Sequence, residues 1–254
     1  MSHKLKLSVS AMQTFDSCKK KYQYNYILKP SIKKIEQSHL EVGKFVHRVF
    51  ELFHIYLKAQ PLPKSEWKAL LKKCSDNALG EFSKAILEKE ATTIKKIFKD
   101  YLDMITKEGL PNVVACEKPF ELMVGDYLLK GFIDRVDEEE EGVYHVYDYK
   151  TSKSDAYMKP FQLEVYALIL KEEFPDLKQV KGSFLMLKLG CKKITYDITD
   201  ATIDSCRQKI IKYGESILSE MEWEKTRSPL CKFCDFEKIC NAEEDNFDNW
   251  VLEE

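Results

Sequence analysis

Three side chains near the middle of the chain have the chemistry needed to act on a phosphate ester. Asp134 lies inside a β-type run, Tyr127–Asp137, and Asp148 lies near the end of a second run, Val143–Tyr149, with Lys150 two residues after it. Because side chains alternate along a strand, Asp148 and Lys150 point to the same face. Two carboxylates can hold a divalent cation that lowers the pKa of a water, and a lysine adds positive charge for the phosphate. We therefore predict a site for metal-dependent phosphodiester hydrolysis; the alternative is a solvated surface hairpin.

A predicted helix at Leu40–Leu57 carries a second set of candidate ligands. Gly43, His47 and Glu51 follow one another at steps of four residues, so a helix places all three on one face. His47 could bind a metal through a ring nitrogen, and Gly43 would let another backbone or a substrate approach closely. A lone histidine on an apolar helix is more often a packed core residue, so this spacing leaves both interpretations open.

Cysteines near the end of the chain have the spacing of metal ligands. Cys231, Cys234 and Cys240 lie in the segment 228–241, and one tight turn can present the first two thiolates together. Three cysteines leave a four-coordinate site one ligand short. Zinc and an iron–sulfur cluster both accept such ligands, so the spacing alone does not separate them. Four other cysteines fall in ordinary positions and are predicted to be structural thiols: Cys74, Cys116, Cys191 and Cys206.

The composition is that of an intracellular chain of domain size. It has 254 residues, of which 44% are apolar, and a formal net charge of −2. Nucleic-acid binding would therefore need a local basic groove. We read no signal peptide in Met1–Leu7, and no apolar run approaches the roughly 20 residues that span a bilayer. We expect a cytoplasmic protein without membrane contact, whose eight cysteines form no disulfide framework.

The elements that must position these residues follow an α/β pattern. Helices are predicted at Ser8–Leu28, Leu40–Leu57 and Ala201–Trp223 and from Pro160, and strands at Cys116–Val124, Tyr127–Asp137, Val143–Tyr149, Gly182–Leu189 and Lys192–Ile198. The helix from Pro160 places Gln162 and Tyr166 one turn apart on one face. About residues 58–114 form a predicted helical insertion of two helices, which is either a lid over the site or inert scaffolding.

Taken together, these motifs resemble one family. The strings GFIDRVD from Gly131, DYKTSK from Asp148, GKFVHRVFE from Gly43 and QLEVYAL from Gln162, with the split cysteines, resemble the RecB-like branch of the PD-(D/E)XK nuclease superfamily. That branch includes the nuclease domains of RecB and AddB and the CRISPR-associated RecB-like exonucleases. The chain departs from the pattern at Lys19, where the family often has proline after its first cysteine.

The resemblance implies a fold and a set of roles. The fold is a restriction-endonuclease-like central mixed sheet flanked by helices, a single nuclease domain over 1–254 with an iron–sulfur staple joining the N- and C-terminal segments. Carried over from the family, His47, Asp134, Asp148 and the Tyr149 carbonyl hold Mg²⁺ or Mn²⁺, and Lys150 orients or helps deprotonate the attacking water. Gln162 and Tyr166 lie along the DNA path, where Gln162 bonds a phosphate or base edge and Tyr166 stacks or bonds near the scissile group.

The remaining implied roles concern the supporting acids and the cysteines. Glu51 would orient His47, and Glu117 would either assist the metal site or pair with Arg135. Cys18 would complete the set of Cys231, Cys234 and Cys240 around a 4Fe–4S cluster, with zinc as the competing metal.

The function implied is a metal-dependent DNA exonuclease that acts on single-stranded ends, with 5′-to-3′ polarity suggested only by similar proteins. Its pathway would be DNA repair, recombination or the processing of phage DNA. Two alternatives are a CRISPR-adaptation protein that processes spacers with an integrase partner, and a non-catalytic, cysteine-stapled DNA-binding scaffold. The sequence contains no GxxxxGK[ST] motif, so unwinding would need a helicase partner.

Overall fold

The described part of the chain forms two compact units. The computed structural model describes residues 5–32, 38–156 and 158–242. The first unit, here called the sheet unit, contains residues 5–6 and 38–211, and the second, the cysteine unit, contains residues 7–32 and 212–242. The single domain over 1–254 stays a prediction. Among the described helices, none has the length and apolar character needed to cross a membrane.

The sheet unit is built on a mixed sheet. Its strands are β1 (Lys6–Leu7, at the unit boundary), β2 (Val113–Val124), β3 (Tyr127–Glu140), β4 (Val143–Lys150), β5 (Gln179–Met186) and β6 (Lys192–Ile198). They run in the order β1-β3-β4-β5-β6, and β2 pairs with β3 outside this path. β3 is antiparallel to β2 and β4, β4 is parallel to β5, and β5 is antiparallel to β6. The predicted α/β fold with a central mixed sheet is confirmed.

Two glycines explain how β2 and β3 pair so closely. Gly125, in the predicted two-residue turn between them, has a φ of 59°, which only glycine adopts without strain. Gly131 lies opposite Phe120, and a Cβ atom at Gly131 would stand 2.8 Å from the ring of Phe120. The glycine that begins the GFIDRVD string therefore makes room for an aromatic ring.

Helices cover the sheet. The α-helices of the sheet unit are α3 (Ser38–Ala59), α4 (Trp67–Ala78), α5 (Lys84–Lys89), α6 (Ala91–Glu108) and α7 (Phe161–Glu173). A further helix, α8 (Asp200–Ser219), begins in the sheet unit and ends in the cysteine unit. One apolar core joins α3, α4, α5 and α6 to β4 and β5, through side chains such as Phe50, Tyr101 and Tyr149. Since α4 to α6 share this core, the predicted insertion packs as part of the sheet unit.

The insertion contains three α-helices where two were predicted. The helical pattern stops after Ala78, and the segment from Leu79 to Ser83 leaves the α-helix. Gly80 disfavours helix, and the N–H of Ser83 donates to Oε1 of Glu41 at 2.8 Å instead of to a helical carbonyl. This contact with α3 is a tertiary effect that the local sequence pattern does not reveal.

The cysteine unit opens with an interrupted helix. α1 (Val9–Ser17), α2 (Lys19–Tyr22) and a π-helix (Gln23–Leu28) replace the predicted continuous helix Ser8–Leu28, and Ser8 caps α1 as expected. The break lies at Cys18, whose backbone is extended (φ −167°, ψ 109°), because its sulfur accepts a hydrogen bond from the N–H of Lys21 at 3.4 Å. The prediction of one helix through Cys18 was therefore wrong.

Aromatic rings join the two segments of the cysteine unit. Tyr22 stacks on Trp223 with 5.9 Å between ring centroids, and Tyr24 lies 5.1 Å from Phe236. The N–H of Lys20 also donates to a carbonyl at Glu224 (3.0 Å). These contacts hold the N-terminal segment against the C-terminal segment around Cys18.

Candidate active site

Asp134 lies where two neighbouring strands separate. β3 and β4 pair from Glu140 and Val143 as far as Arg135 and Tyr147. Beyond that pair, the N–H of Tyr149 donates to Oδ2 of Asp134 at 2.7 Å. The carboxylate thus takes the place of the next backbone partner, which fixes it in the fork between the strands.

Three side chains from three elements meet at this fork and form what we call the metal group: His47, Glu117 and Asp134. Their ligand atoms all lie within 4.8 Å of one another. Nδ1 of His47 is 3.3 Å from Oε1 of Glu117 and 3.5 Å from Oδ2 of Asp134, and its Nε2 is 3.1 Å from the Tyr149 carbonyl. One nitrogen and two carboxylates, with a carbonyl beside them, are ligands that suit a divalent cation.

The charges in the metal group are not balanced. Burial and the nearby Asp148 carboxylate raise the pKa of Asp134 to about 7, although His47 and the Tyr149 N–H oppose this. Burial lowers the pKa of His47, but Asp134, Glu117 and Asp148 together raise it to about 9. Carboxylates held this close together repel one another. A bound cation would relieve that repulsion, so the residues present fit a divalent metal.

Glu117 reaches the metal group through a strained backbone. Its φ is 44°, a value that residues other than glycine rarely adopt. Glu117 lies between Cys116 and Lys118 of β2, both of which pair with β3. Such strain persists where the surrounding structure imposes it, often at functional sites. Of the two roles predicted for Glu117, this geometry places it beside His47, while Arg135 pairs with Asp137 instead.

Glu51 has a different partner from the one predicted. Its Oε2 accepts from Nη1 of Arg48 at 2.8 Å, and Arg48 also donates to Glu81. The carboxylate on the ring of His47 is Glu117. Within the GxxxHxxxE motif, Gly43 does allow a close approach: a Cβ atom there would lie 3.3 Å from Oγ1 of Thr151, one residue after Lys150.

Four further side chains form a closed circuit of polar contacts, here called the lysine ring: Asp148, Lys150, Gln162 and Tyr166. Nζ of Lys150 lies 2.6 Å from Oδ2 of Asp148 and donates to Oε1 of Gln162 at 2.9 Å. Nε2 of Gln162 donates to the Tyr166 hydroxyl at 2.8 Å, which donates to Oδ1 of Asp148 at 3.2 Å. The motifs DxK and QxxxY, from β4 and α7, are thus one structural group.

This arrangement changes the role expected for Tyr166. Its side chain is only 2% exposed, and burial raises its pKa well above the usual value, so it is a neutral donor to Asp148. The predicted stacking of Tyr166 on a base does not fit a buried ring. Leu163, Ala167 and Leu170 of the same helix are buried, as expected for a helix that packs on the sheet.

A buried polar cluster on alternate residues of the same strands was missed by the sequence reasoning. We call it the arginine cluster: Arg135, Asp137, Tyr101, Tyr147, Tyr149 and His54. Nε of Arg135 pairs with Asp137 at 3.0 Å, and Nη1 donates to the hydroxyls of Tyr101 (2.9 Å) and Tyr149 (3.2 Å). The guanidinium carbon lies 4.0 Å from the ring centre of Tyr147. The spacing of Arg135 and Asp137, two residues apart on a strand, is the signal that could have found it.

The four candidate cluster cysteines come together in the cysteine unit. Cys18, Cys231, Cys234 and Cys240 all line one cavity of about 40 Å³, and each is half-buried. Backbone N–H groups donate to two of the sulfurs, from Thr226 to Cys18 at 3.5 Å and from Ser228 to Cys231 at 3.4 Å. The cavity is also lined by cationic side chains: Lys20, Lys21, Lys225 and Arg227. Cysteine sulfurs with amide donors and cationic neighbours suit a bound metal or cluster.

The other four cysteines have the properties of structural thiols. Burial raises the pKa of Cys74 to about 11 and of Cys116, Cys191 and Cys206 to about 12. Such thiols stay protonated at neutral pH and are poor ligands.

Comparison with known proteins identifies the family. The family model described as the PD-(D/E)XK nuclease superfamily matches residues 6–241. Over 245 residues, the chain is 30% identical to a component of the ATP-dependent helicase/deoxyribonuclease of Streptococcus pyogenes serotype M49, and 31% identical to the same component from serotype M6. Each alignment covers 87% of this chain and 22% of the relative, so the chain spans about a fifth of those proteins.

Among solved structures, a protein described as a candidate exonuclease from Eubacterium rectale matches with a TM-score of 0.47 and 14% identity, over 91% of this chain and 86% of that one. The family match spans the metal group, the lysine ring and all four clustered cysteines. The predicted family and the predicted class of enzyme are therefore confirmed. The chain belongs to the PD-(D/E)XK nuclease superfamily.

Proposed function

We propose that this chain is a metal-dependent DNA exonuclease acting on single-stranded ends. The observation that carries the proposal is the metal group, three ligand residues within 4.8 Å of one another beside the lysine ring. The deoxyribonuclease names of the relatives support DNA as the substrate.

In this proposal His47, Glu117, Asp134 and the Tyr149 carbonyl hold Mg²⁺ or Mn²⁺. When bound, the cation would neutralise phosphate charge and lower the pKa of a water. Glu117 thus joins the predicted ligands His47 and Asp134, whereas Asp148, also predicted as a ligand, is not among the side chains whose ligand atoms lie within 4.8 Å of one another, and its binding to the metal stays a prediction. Asp148, 2% exposed and held by Tyr166 and Lys150, stands directly before Tyr149 and orients the backbone that carries the carbonyl.

We propose that Lys150 acts on the reacting groups. Its side chain is 28% exposed, and an ammonium group has three donors. Gln162 accepts from one of them and Oδ2 of Asp148 lies in ion-pair contact at 2.6 Å, so a donor remains for the attacking water or for a phosphate oxygen. The hydrogen bonds of Gln162 and Tyr166 hold the side chains of Lys150 and Asp148 at a fixed distance from each other. Such positioning lowers the entropy cost of reaching the reactive geometry.

The names of the relatives support a proposal for the partner of this chain. Their name joins a helicase to a deoxyribonuclease, and we propose that this chain likewise works beside a helicase in DNA repair or recombination. A role in CRISPR adaptation with an integrase stays a prediction. Co-purification from the native host would separate the two: recovery of a helicase supports the proposal, and recovery of an integrase replaces it.

The test of activity uses single-stranded DNA labelled at one end or the other, with Mg²⁺, Mn²⁺ or chelator. We expect metal-dependent degradation from the 5′ end, no cleavage of circular DNA, and loss of cleavage in Lys150→Met. Lys130→Met, an exposed lysine on β3, is the matched control and should keep activity. Equal cleavage by Lys150→Met and wild type would overturn the site, and cleavage of circles would make the enzyme an endonuclease.

We also propose that Cys18, Cys231, Cys234 and Cys240 hold a 4Fe–4S cluster. All four cysteines line one cavity with backbone amide donors and cationic side chains around it, which suits a cluster. Four cysteines also bind zinc, and the family resemblance favours the cluster. Bound to both segments, the cluster would staple the cysteine unit.

Anaerobic purification tests the cluster independently of cleavage. We expect iron and sulfide at about four atoms each per chain for a 4Fe–4S cluster, with a brown chromophore that Cys231→Ser loses. Cys206→Ala, at a buried cysteine outside the cavity, should keep both. Stoichiometric zinc without iron would overturn the cluster and leave the nuclease proposal standing.

A further inference from the structure

An exposed phenylalanine lies beside the metal group. Phe132 of β3 is 58% exposed, and no other large apolar side chain among the described residues of the sheet unit is more exposed. Its neighbours point the other way: Ile133 is fully buried, and Gly131 lies under the ring of Phe120. Phe132 therefore projects outward from the sheet into solvent.

The position of Phe132 is fixed by the strand pairing. It comes two residues before Asp134, and its partner across β2 is Pro119, which is also exposed and comes two residues after Glu117. Two residues along a strand span about 7 Å. Phe132 therefore lies about 7 Å along its strand from Asp134, and Pro119 lies about the same distance from Glu117.

The metal group and the neighbouring Lys150 are partly open to solvent. The side chains of His47, Glu117 and Lys150 are 24%, 29% and 28% exposed. A phosphate bound there has its own base and the neighbouring base within reach of a group about 7 Å away. A flat apolar ring offers a base a stacking surface, and base–aromatic stacking does not depend on sequence.

We propose that Phe132, supported by Pro119, stacks a nucleobase next to the scissile phosphate, and so positions single-stranded substrate. The proposal rests on the proposed nuclease function and deepens it by assigning the base-binding surface. It also gives the stacking role to a residue other than the buried Tyr166. A paired duplex keeps its bases stacked on one another, so this surface favours single strands.

The test is a double-mutant cycle that combines substitutions at Phe132 with abasic sites in the DNA. Single-stranded oligonucleotides carrying one abasic site, moved stepwise from the end, are compared on wild type, Phe132→Ala and Phe132→Trp. Phe174→Ala, another exposed phenylalanine of the sheet unit, is the matched control. KM and kcat are measured separately, and binding is measured with all three residues at position 132 in a Lys150→Met background that does not cleave.

We expect Phe132→Ala to raise KM and weaken binding by about 5- to 100-fold, with kcat changed much less, and Phe132→Trp to restore both. One abasic position should weaken binding to wild type but not further weaken binding to Phe132→Ala. If wild type cleaves normally while Phe132→Ala keeps its KM and its abasic profile, the stacking proposal is wrong and the nuclease stands. If wild type neither binds nor cleaves single-stranded DNA, both proposals fall.

Discussion

The metal group and the arginine cluster use alternate residues of the same strands, and they balance charge in opposite ways. In the arginine cluster, Arg135 is 1% exposed and Asp137 is 4% exposed, and the two form a close pair, while Nη1 of Arg135 donates to the hydroxyls of Tyr101 and Tyr149. In the metal group, Glu117 and Asp134 face each other with only His47 between them. The arginine cluster thus contains its own counter-ion, whereas the metal group would gain one from a bound cation.

The comparison separates residues kept for folding from residues kept for chemistry. Burial raises the pKa of Asp137 even though Arg135 opposes it, so that pair costs desolvation and is held by its geometry. Asp134 is destabilised as an anion by its neighbours, and its pKa of about 7 records that cost. Removing a charge should therefore have opposite effects on stability at the two places.

The largest effect should come from Asp134→Asn. Cleavage should be abolished, because a neutral amide is a poor ligand for a hard cation, while the metal-free protein at pH 8 should be as stable as wild type or more stable. Asparagine can still accept the Tyr149 N–H, and the repulsion from Asp148 and Glu117 is gone. Chemical denaturation and a cleavage assay on the same preparation check this; lower metal-free stability at pH 8 would contradict the charge argument.

The next largest effect is expected for Asp137→Asn, which should lower stability and leave metal binding nearly unchanged. Asp137→Asn should destabilise the protein by about 3–5 kcal/mol, because it leaves the buried Arg135 without its anion. Metal affinity measured on the folded fraction should change little. Glu121→Gln, at an exposed pair with Lys130 on the same strands, is the control and should cost under about 1 kcal/mol. Equal stability of the Asp137→Asn and Glu121→Gln variants would show that Asp137 does not stabilise the buried Arg135.

A smaller effect is expected for Glu117→Gln. The glutamine keeps the size of the side chain but removes one anionic ligand next to His47, so metal affinity should fall about 10- to 100-fold. Glu51→Gln, which breaks a contact with Arg48 on the same helix as His47, should leave affinity within a few-fold of wild type. Titration calorimetry with Mn²⁺ decides; the opposite ranking would restore Glu51 as the residue that orients His47.

The smallest effect is a pH dependence. Asp134, raised from 3.8 to about 7, and His47, raised from 6.5 to about 9, both hold protons more tightly in the folded state. Their contributions are present below pH 3.8 and 6.5 and are lost as the pH rises through about 7 and 9. Metal-free stability should thus fall from about pH 6 to 9, while the gain in Tm from Mg²⁺ grows because cations compete with those protons. A Mg²⁺ gain that shrinks over this range would refute it.

Much of the sheet unit could be predicted from local patterns. The alternating runs, the turn at Gly125 and the order of His47, Asp134, Asp148, Lys150 and the Gln162–Tyr166 pair are properties of short segments, which depend on residues two to four positions apart. The four cysteines could likewise be grouped once the family resemblance linked Cys18 to the closing segment. What was wrong, the helix through Cys18 and the stacking by Tyr166, depended on the contacts these residues make in the folded chain.

The sequence by itself determined which residues are candidates for the chemistry, because carboxylate, imidazole, amine and thiol side chains are the groups that bind metals and move protons. Only the tertiary structure decided which of them act together. His47 and Glu117 are 70 residues apart, and His47 and the Tyr149 carbonyl 102 apart. The tertiary structure also places Glu117, and not Glu51, beside the ring of His47, and it brings Lys150 within hydrogen-bond distance of Gln162. The physical reason is that metal binding and pKa depend on distances of a few ångströms and on burial, which are set when strands and helices pack, whereas local spacing fixes only the face of each element.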